Sequence, residues 1–369
     1  MKRVKVGLIG LGFIGKLHLD ALRRIPQVEI CAVSSAVPQE LENARNVYRI
    51  QKCYPSWRDL VLDSEIEAVH DCTPVALHEE INTFCIEHGK HLYSEKPLAM
   101  NTLQVAHQLD VLAKNPVANC VGHQYRSNAA IHAMRELYES GACGKLLFVR
   151  GRYFQESLAE PTDYTKRLVP EDSPMRAVSD LGSHLADLID YLTGAKIKSV
   201  CASMMTHYPV RYDGNREVPI KSDDTTMAQI VMSDGTPGTF IVSKTAVGHK
   251  NDLSVAMEFS KMELTWNQEQ PGCFYKNERK NGNAVIFMDP KYCSDTVRPY
   301  ISLPVGHMMG WCDALRCNMQ SFYQSITDGS WTGSVPYTTF RDELSVSRFL
   351  DASVISSQEK RWVDVEADA

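Results

Sequence analysis

A glycine-rich run near the N-terminus places the strongest constraint on the fold of this chain. The apolar residues 4–9, VKVGLI, lead directly into the pattern Gly10-x-Gly12-x-x-Gly15, and a segment of helical periodicity follows. At such a junction Gly10 permits a tight turn, Gly12 lets a pyrophosphate approach the backbone, and Gly15 lets helix and strand pack closely. The helix N-terminus adds unpaired N–H groups that attract anions. The setting favours dinucleotide binding over a glycine-rich turn without a ligand.

Short apolar runs alternate with segments of helical periodicity as far as about residue 122. The pattern is typical of a parallel sheet covered by helices. The predicted strands are 4–9, 28–33, 66–72, 91–94 and 118–122, and the predicted helices are 17–24, 39–48, 77–88 and 102–114. We therefore predict a doubly wound α/β domain over residues 1–122.

The alternation changes after residue 122, which indicates a second domain over residues 123–369. Successive strand-like segments separated by turn residues predict an antiparallel sheet there. The predicted strands are 145–155, 200–207, 225–232, 238–244 and 253–259, and the predicted helices are 127–140, 178–192, 309–327 and 337–356. A polar, glycine-containing loop is expected around residues 277–283.

Composition excludes two classes of function. Against 39 basic residues the chain has 45 acidic ones, giving a net charge of -6, and no long basic stripe is present to bind nucleic acid. No uncharged apolar run approaches the roughly 18 residues that span a bilayer. We therefore expect neither nucleic-acid binding nor a membrane span.

The cysteines and the N-terminus both predict a cytoplasmic protein. The eleven cysteines are odd in number, scattered, and contain no C-x-x-C pair, so we expect reduced thiols. The charged start and the apolar residues 4–14 resemble a signal peptide, but no small-residue cleavage site follows. The glycine motif explains this segment better.

The position that usually recognises the ribose carries serines. Ser34 and Ser35 follow the second predicted strand, where an Asp or Glu would hold the 2′-hydroxyl of NAD. Serine hydroxyls can bind either a hydroxyl or a 2′-phosphate, and Arg45 is the nearest downstream cation. Because no nearby cation neutralises a phosphate, NAD is favoured, although NADP stays open.

Two further loops follow later strands of the predicted sheet. They contain Thr73-Pro74 with His78, and Glu95-Lys96-Pro97. Ligands of open α/β sheets bind at the carboxyl ends of strands. A buried lysine there could transfer a proton. The alternative is a solvated lysine in a turn. Besides the three glycines, the predicted cofactor contacts are Phe13, Ile14, Ser34, Ser35, Thr73, Pro74, His78, Glu95 and Lys96.

The predicted helix 178–192 carries a second group of polar residues. Asp180, His184 and Asp187 follow the spacing i, i+4, i+7 and would share one helical face. A carboxylate one turn from an imidazole can raise its basicity, which suits proton removal from an alcohol. A surface or capping pair is an alternative. A metal site is not expected, because no further Cys or His completes a ligand set.

These motifs together resemble the glucose-fructose oxidoreductase/inositol dehydrogenase (Gfo/Idh/MocA) family nearly end to end. The likeness rests on motifs along the whole chain. They are the glycine motif with His18, Thr73-Pro74 with His78, Glu95-Lys96-Pro97, Gly144-Lys145, residues 180–187, Thr339-Phe340-Arg341-Asp342 and residues 361–365.

The resemblance implies a two-domain dehydrogenase. It implies an N-terminal Rossmann domain, a C-terminal α/β domain with a large open antiparallel sheet, and a substrate cleft between them. The implied reaction is NAD- or NADP-linked oxidation of a secondary hydroxyl on a sugar or polyol, or its reverse. His184 would be the general base or acid, Lys96 would polarise the oxygen and relay its proton, and Asp180 would bind substrate and tune the imidazole.

The implied substrate is a sugar, glycoside or polyol. Polar and aromatic residues of the kind that bind sugars form the predicted substrate site together with the three catalytic residues. They are Tyr125, Arg126, Tyr153, Gln155 and Arg167. The open sheet also predicts a homo-oligomer, a dimer or tetramer, because one face would otherwise stay uncovered. Two alternatives stay open, an NAD-dependent glycosidase with transient sugar oxidation and a non-catalytic dinucleotide-binding sensor.

Overall fold

Short apolar segments form the first sheet, because their side chains are buried on both faces. Its strands are β1 Val4–Ile9, β2 Val28–Ser34, β3 Lys52–Tyr54, β4 Ala68–Asp71, β5 His91–Ser94 and β6 Asn119–Val121. The strands run parallel in the order β3-β2-β1-β4-β5-β6. This order reverses beside β1, where the carboxyl ends of strands form a ligand-binding crevice. The predicted doubly wound sheet is confirmed.

Helices connect these strands and begin at residues suited to helix starts. They are α1 Phe13–Leu22, α2 Pro38–Asn46, α3 Trp57–Leu62, α4 His78–Glu87 and α5 Thr102–Lys114. The Asn101 side chain caps α5 by accepting a hydrogen bond from the Gln104 N–H at 3.0 Å. Pro38 lies in the first turn of α2, where a missing N–H costs nothing. The short elements β3 and α3 were not predicted, because three- and six-residue segments show too little periodicity.

The computed structural model describes residues 3–165, 175–307 and 309–365. The chain forms two compact units. One comprises Met1–Ser127 and Cys312–Leu344, and the other comprises Asn128–Trp311 and Ser345–Ala369. The domain division at residue 122 stays a prediction. The structure assigns residues 312–344 to the first unit, whereas the predicted division would place them in the second domain.

Residues 312–344 pack against the first sheet. They contain most of α8 Trp311–Asp328 and the start of α9 Phe340–Glu359. The buried Tyr93 hydroxyl of β5 donates to Asn318 Oδ1 at 2.8 Å, and Phe340 joins the apolar core beneath the sheet. Such long-range contacts leave no mark in local periodicity, which explains why the sequence did not reveal them.

The second unit contains a sheet of nine strands, counted over the described residues. Its order is β16-β15-β14-β13-β7-β12-β11-β8-β17. The strands are β7 Leu146–Phe154, β8 Ile197–Met205, β11 Thr225–Met232, β12 Pro237–Ser243, β13 Asp252–Phe259, β14 Met262–Asn267, β15 Cys273–Glu278, β16 Gly282–Phe287 and β17 Val363–Asp364. Strands β9 Val210–Asp213 and β10 Arg216–Pro219 pair separately. The predicted large sheet is confirmed.

One detail of the predicted second sheet was wrong, and the expected loop is shorter than predicted. Neighbouring strands are antiparallel except for β7 and β12, which run parallel. Because β7 lies between the consecutive antiparallel strands β12 and β13, it must run parallel to one of them. The loop expected around residues 277–283 is instead the turn between β15 and β16, whose pairing extends from Cys273↔Phe287 to Glu278↔Gly282.

The helix with the predicted catalytic pair begins irregularly. A π-helical turn, Val178–Gly182, precedes α7 Ser183–Thr193, which ends at Gly194 with a φ of 70°. On β7, a Cβ added at Gly151 would lie 3.2 Å from the side chains of Leu185 and Ile189. The missing side chain therefore lets α7 pack onto the centre of the sheet.

Two observations concern membrane-spanning helices and disulfide bonds. In the part of the chain that the structure describes, no helix is long and apolar enough to cross a membrane. The cysteines, all of which lie in that part, form no disulfide.

Candidate functional site

The glycine turn joins β1 to α1 and leaves room for an anionic ligand. Gly10 has a φ of 90°, and a Cβ there would lie 2.7 Å from the Cys72 carbonyl oxygen. A Cβ at Gly15 would overlap the Gly10 carbonyl oxygen, whereas a Cβ at Gly12 would meet nothing within 4 Å. Gly12 precedes α1 without a side-chain cap, so the first N–H groups of the helix have no side-chain acceptor there. These features fit a pyrophosphate.

The carboxyl end of β2 contains an acidic side chain that the sequence reading missed. Ser34 is buried, and its carbonyl accepts a hydrogen bond from the Gly10 N–H at 2.8 Å. The Ser35 hydroxyl donates to Glu40 Oε2 at 2.5 Å. Glu40 lies in the first turn of α2, five residues after the serine. The strand end therefore has a carboxylate, supplied by the following helix.

The loops after β4 and β5 are joined through His78. Its Nδ1 lies 2.9 Å from the Pro97 carbonyl oxygen, and its Nε2 lies 2.9 Å from the Thr73 carbonyl oxygen. The Thr73 hydroxyl and N–H both donate to Asp71 Oδ1. Burial raises the pKa of Asp71. His78 is itself buried, and its two ring nitrogens link the two loops. Pro74, in the first of these loops, is exposed.

Glu95 and Lys96 follow β5 directly. The Glu95 carboxylate accepts from His18 Nε2 at 2.9 Å and from the Lys96 N–H at 3.3 Å. Burial pushes the pKa of Glu95 upward, but the hydrogen bond and charge interaction with His18 outweigh it together with Lys96, and the pKa is lowered. A Cβ at Gly122 would lie 2.6 Å from Glu95 Oε1. The glycine thus leaves space for the carboxylate.

Tyr125 and Arg126 lie in a 3-10 turn, Gln124–Ser127, and both side chains are buried. Next to this turn, His123 Nε2 lies 2.8 Å from Glu343 Oε2, with both side chains buried. The first two residues of α1 are Phe13, which is exposed, and Ile14, which is half-buried. Their roles in binding stay predictions.

The second unit brings Asp180 to a buried lysine. Lys244 follows β12, is 3% exposed, and places Nζ 2.6 Å from Asp180 Oδ2. Arg176 Nη2 lies 3.8 Å from the same oxygen. Two cationic side chains therefore lie beside the Asp180 carboxylate.

The same lysine connects Asp180 to β7. Lys244 Nζ donates to Gln155 Oε1 at 3.2 Å, while Gln155 Nε2 donates to Asn251 Oδ1 at 3.1 Å. The Tyr153 hydroxyl also donates to Asn251 Oδ1, at 2.5 Å, and its ring centroid lies 6.2 Å from that of His184. We call Tyr153, Gln155, Asp180, His184, Lys244 and Asn251 the β7–α7 cluster.

A buried carboxylate holds the start of the π-helical turn. Asp223 accepts from the N–H groups of Arg176, Ala177 and Val178 at 2.5, 3.0 and 2.9 Å. Burial raises the pKa of Asp223, opposed by these bonds and by the Thr226 hydroxyl. The sequence prediction that Asp180, His184 and Asp187 share one face assumed a regular α-helix. The π-helical turn changes the angle per residue around Asp180, so the shared face stays a prediction.

Sequence reasoning missed Glu40, Lys244 and Asn251. Lys244 had a usable signal, because it ends a buried strand as Lys96 does. Glu40 and Asn251 had none, since only the fold brings them to Ser35 and Tyr153. Arg167 lies outside the described residues. Over residues 3–165, 175–307 and 309–365, no group of three or more His, Cys, Asp or Glu side chains is arranged to hold a metal ion.

Two family models match the chain. One is described as an oxidoreductase family with an NAD-binding Rossmann fold and matches residues 4–123, and the other is the GFO/IDH/MocA C-terminal domain and matches residues 131–263. Together they cover more than half of the chain. The chain belongs to the Gfo/Idh/MocA family. It is therefore an oxidoreductase with an NAD-binding domain, as the motifs predicted.

Several characterised family members are similar to this chain. The levoglucosan dehydrogenase of Pseudarthrobacter phenanthrenivorans is 25% identical, and the match covers 99% of both chains. The myo-inositol 2-dehydrogenase of Thermotoga maritima is 26% identical over 54% of this chain and 58% of its own length. A structure of levoglucosan dehydrogenase in complex with NADH and levoglucosan matches with a TM-score of 0.91 at 26% identity, covering 99% of this chain and 100% of its own.

We predict that Gly12→Val abolishes dinucleotide binding in this Gfo/Idh/MocA protein without unfolding it. The side chain would enter the space over the turn, where nothing lies within 4 Å. Calorimetry should show NAD(H) and NADP(H) affinities at least about tenfold weaker, with an unchanged melting temperature. Gly272→Val, at another glycine with an open surrounding, is the control and should leave binding intact. Unchanged affinity in a folded Gly12→Val protein would contradict the assignment.

Proposed function

We propose that this enzyme oxidises a secondary hydroxyl of a sugar, glycoside or polyol with a nicotinamide cofactor, or catalyses the reverse reduction. The observation that carries the proposal is the β7–α7 cluster. It combines an imidazole, a paired carboxylate and ammonium, two amides and a phenol. Such a set offers donors and acceptors to several neighbouring hydroxyl groups at once.

The relatives support a polyhydroxylated substrate. Those named levoglucosan dehydrogenase and myo-inositol 2-dehydrogenase carry the names of a sugar derivative and a polyol. Both molecules present neighbouring hydroxyls on a ring. The proposal extends this substrate class, and not either compound, to the present enzyme.

Proton transfer is the task of the protein. The bound nicotinamide supplies the hydride acceptor. His184 takes the proton of the reacting hydroxyl, so that a carbonyl forms as the hydride departs. The Lys96 ammonium stabilises the negative charge that develops on the same oxygen. Asp180 accepts a hydrogen bond from a neighbouring hydroxyl, and Lys244 holds that carboxylate in place.

A cofactor-reduction screen across sugars, polyols and glycosides, with both NAD and NADP, tests the proposed reaction. Net formation of the reduced cofactor is expected with at least one member of the class. Cleavage of a glycoside without net reduction would instead identify an NAD-dependent glycosidase. If neither product forms, the result would point to a dinucleotide-binding sensor.

In that assay, Lys96→Ala and His184→Ala should each lower kcat by roughly 100-fold with nearly unchanged cofactor affinity, because each removes a proton-handling group. The double variant should lose less than the product of the two defects, since both residues serve one proton path. Lys198→Ala, which removes an exposed lysine of β8, is the control. Near-normal activity in either single variant, or strict multiplication, would refute the assignment.

We also propose that NAD is preferred to NADP. The support is Glu40, whose Oε2 is held by the Ser35 hydroxyl beside the glycine turn. In the described part of the chain its Oε1 has no hydrogen-bond partner, so it offers an acceptor to a ribose hydroxyl. A 2′-phosphate in the same place would meet a like charge, which costs several kcal/mol.

Accordingly, Glu40→Gln should lower the ratio of kcat/KM for NAD to that for NADP by roughly tenfold or more, because the repulsion is removed. Glu42→Gln removes the same charge from an exposed position of the same helix and should leave the ratio unchanged. A strong preference of the unaltered enzyme for NADP, or an unchanged ratio in Glu40→Gln, would disprove the role of Glu40.

Homo-oligomer formation is a further part of the proposal. Exposed apolar side chains on the second sheet support it, namely Leu147, Met227, Val285 and Phe287. The exposed surface is nevertheless mixed, because Arg150 forms ion pairs with Glu258 and Glu263 there. Light scattering at micromolar concentration should give the mass of a dimer or tetramer. A monomer would contradict this part of the proposal.

A further inference from the structure

A buried chain of hydrogen bonds ends at the carboxylate beside Lys96. The Tyr323 hydroxyl of α8 lies 2.7 Å from His70 Nε2, on β4. His70 Nδ1 lies 2.9 Å from His18 Nδ1, on α1, and His18 Nε2 lies 2.9 Å from Glu95 Oε1. Tyr323, His70 and His18 are each 0% exposed. The proposed reaction uses none of these three residues.

The direction of the chain follows from its first member. Among the described residues, His70 is the one hydrogen-bond partner of the Tyr323 hydroxyl. A buried O–H without an acceptor is costly, so Tyr323 donates and His70 Nε2 carries no hydrogen. Burial holds the pKa of His70 well below its usual value, so the ring is neutral and its hydrogen is on Nδ1. His70 Nδ1–H therefore donates to His18 Nδ1.

The next bonds follow from the same reasoning. Because His18 Nδ1 accepts, its single hydrogen is on Nε2, which donates to the Glu95 carboxylate. Cys72 Sγ also lies 3.2 Å from His18 Nδ1, but that nitrogen has a single lone pair, which the His70 N–H occupies. His18 is thus the donor in its bond to the Glu95 carboxylate.

We propose that Tyr323 and His70 fix the tautomer of His18, so that its Nε2–H holds the Glu95 carboxylate in the place where it positions Lys96 for the reaction. With its hydrogen on Nδ1 instead, His18 would turn a lone pair toward Glu95 and no longer hold that carboxylate. In this arrangement, Glu95 Oε2 accepts a hydrogen bond from the Lys96 N–H, and Gly122 leaves the space that the carboxylate occupies. The catalytic consequence rests on the proposed function of Lys96.

The chain is an orienting device and not a path for protons to solvent. A proton relay needs an end that exchanges with water. Tyr323 is fully buried and stacks on His70, with ring centroids 5.8 Å apart, and the Tyr93 ring stacks on His70 at 4.7 Å. The chain of hydrogen bonds therefore ends inside the first unit. Tyr323, His70 and His18 are positioning residues.

The test compares two buried tyrosines attached to the same helix. Tyr323→Phe removes the donor that fixes the His70 tautomer, so that forms with hydrogen on Nε2 of His70 and on Nδ1 of His18 become accessible. Tyr337→Phe is the control, because the buried Tyr337 hydroxyl bonds to Ser325 Oγ of α8 at 2.7 Å and has no contact with the chain. Both variants lose one buried hydroxyl, so their melting temperatures should fall by similar amounts.

Activity should separate the two variants. Tyr323→Phe is expected to lower kcat about tenfold with an unchanged KM for the cofactor, and Tyr337→Phe is expected to stay within about twofold of the unaltered enzyme. Glu95→Gln removes the charge directly, and its defect should not multiply with that of Tyr323→Phe. A kcat for Tyr323→Phe equal to that of Tyr337→Phe would overturn the proposal.

A second measurement does not depend on activity. Nitrogen-15 NMR of labelled histidines distinguishes protonated from unprotonated ring nitrogens. The unaltered protein should show hydrogen on Nδ1 of His70 and on Nε2 of His18, and Tyr323→Phe should show a second tautomer of His18 with hydrogen on Nδ1. Hydrogen on His18 Nδ1 in the unaltered protein would overturn the proposal. Full activity in Lys96→Ala with the expected histidine spectra would instead refute the proposed function and leave the chain as assigned.

Discussion

The close approach of backbone segments at the carboxyl ends of β1, β2 and β4 is the constraint on which the first unit depends. Gly10 lies so near the Cys72 carbonyl that a Cβ would stand 2.7 Å from it, and its N–H donates to the Ser34 carbonyl. These contacts hold the glycine turn beside the ends of the neighbouring strands. Only glycine adopts this conformation without strain, so the turn depends on a residue at which no side chain is tolerated.

Buried charges position the remaining side chains. Removing an ion from water costs several kcal/mol unless partners compensate, and the structure supplies these partners. Arg211 is fully buried, pairs with Asp224 at 2.9 Å, and donates to three backbone carbonyls. Lys244 pairs with Asp180 in the same way. Each pair restricts the geometry near it, which is how a site built from several elements keeps one arrangement.

Local patterns predicted some elements well and others poorly. The strands Val4–Ile9 and His91–Ser94 and the helix Thr102–Lys114 have the predicted ends, because apolar period and capping residues agree there. The π-helical turn at Val178–Gly182 escaped prediction, since it depends on Asp223, which is distant in sequence and binds the first N–H groups. Strands β15 and β16 escaped because neither shows the alternation of a half-buried strand. In β15 the apolar residues come first and the polar ones last, and in β16 the apolar residues are consecutive and mostly exposed.

The sequence by itself determined the glycine turn, the parallel sheet around it, the family, and the candidate residues Lys96, Asp180 and His184. These depend on residue type and short spacing, which a linear pattern contains. The tertiary structure alone decided which groups surround them. Glu40 meets Ser35, Lys244 meets Asp180, and Tyr323 meets His70 across 253 positions. Such pairs follow from how strands and helices pack, because burial makes each polar group find a partner wherever the fold brings one.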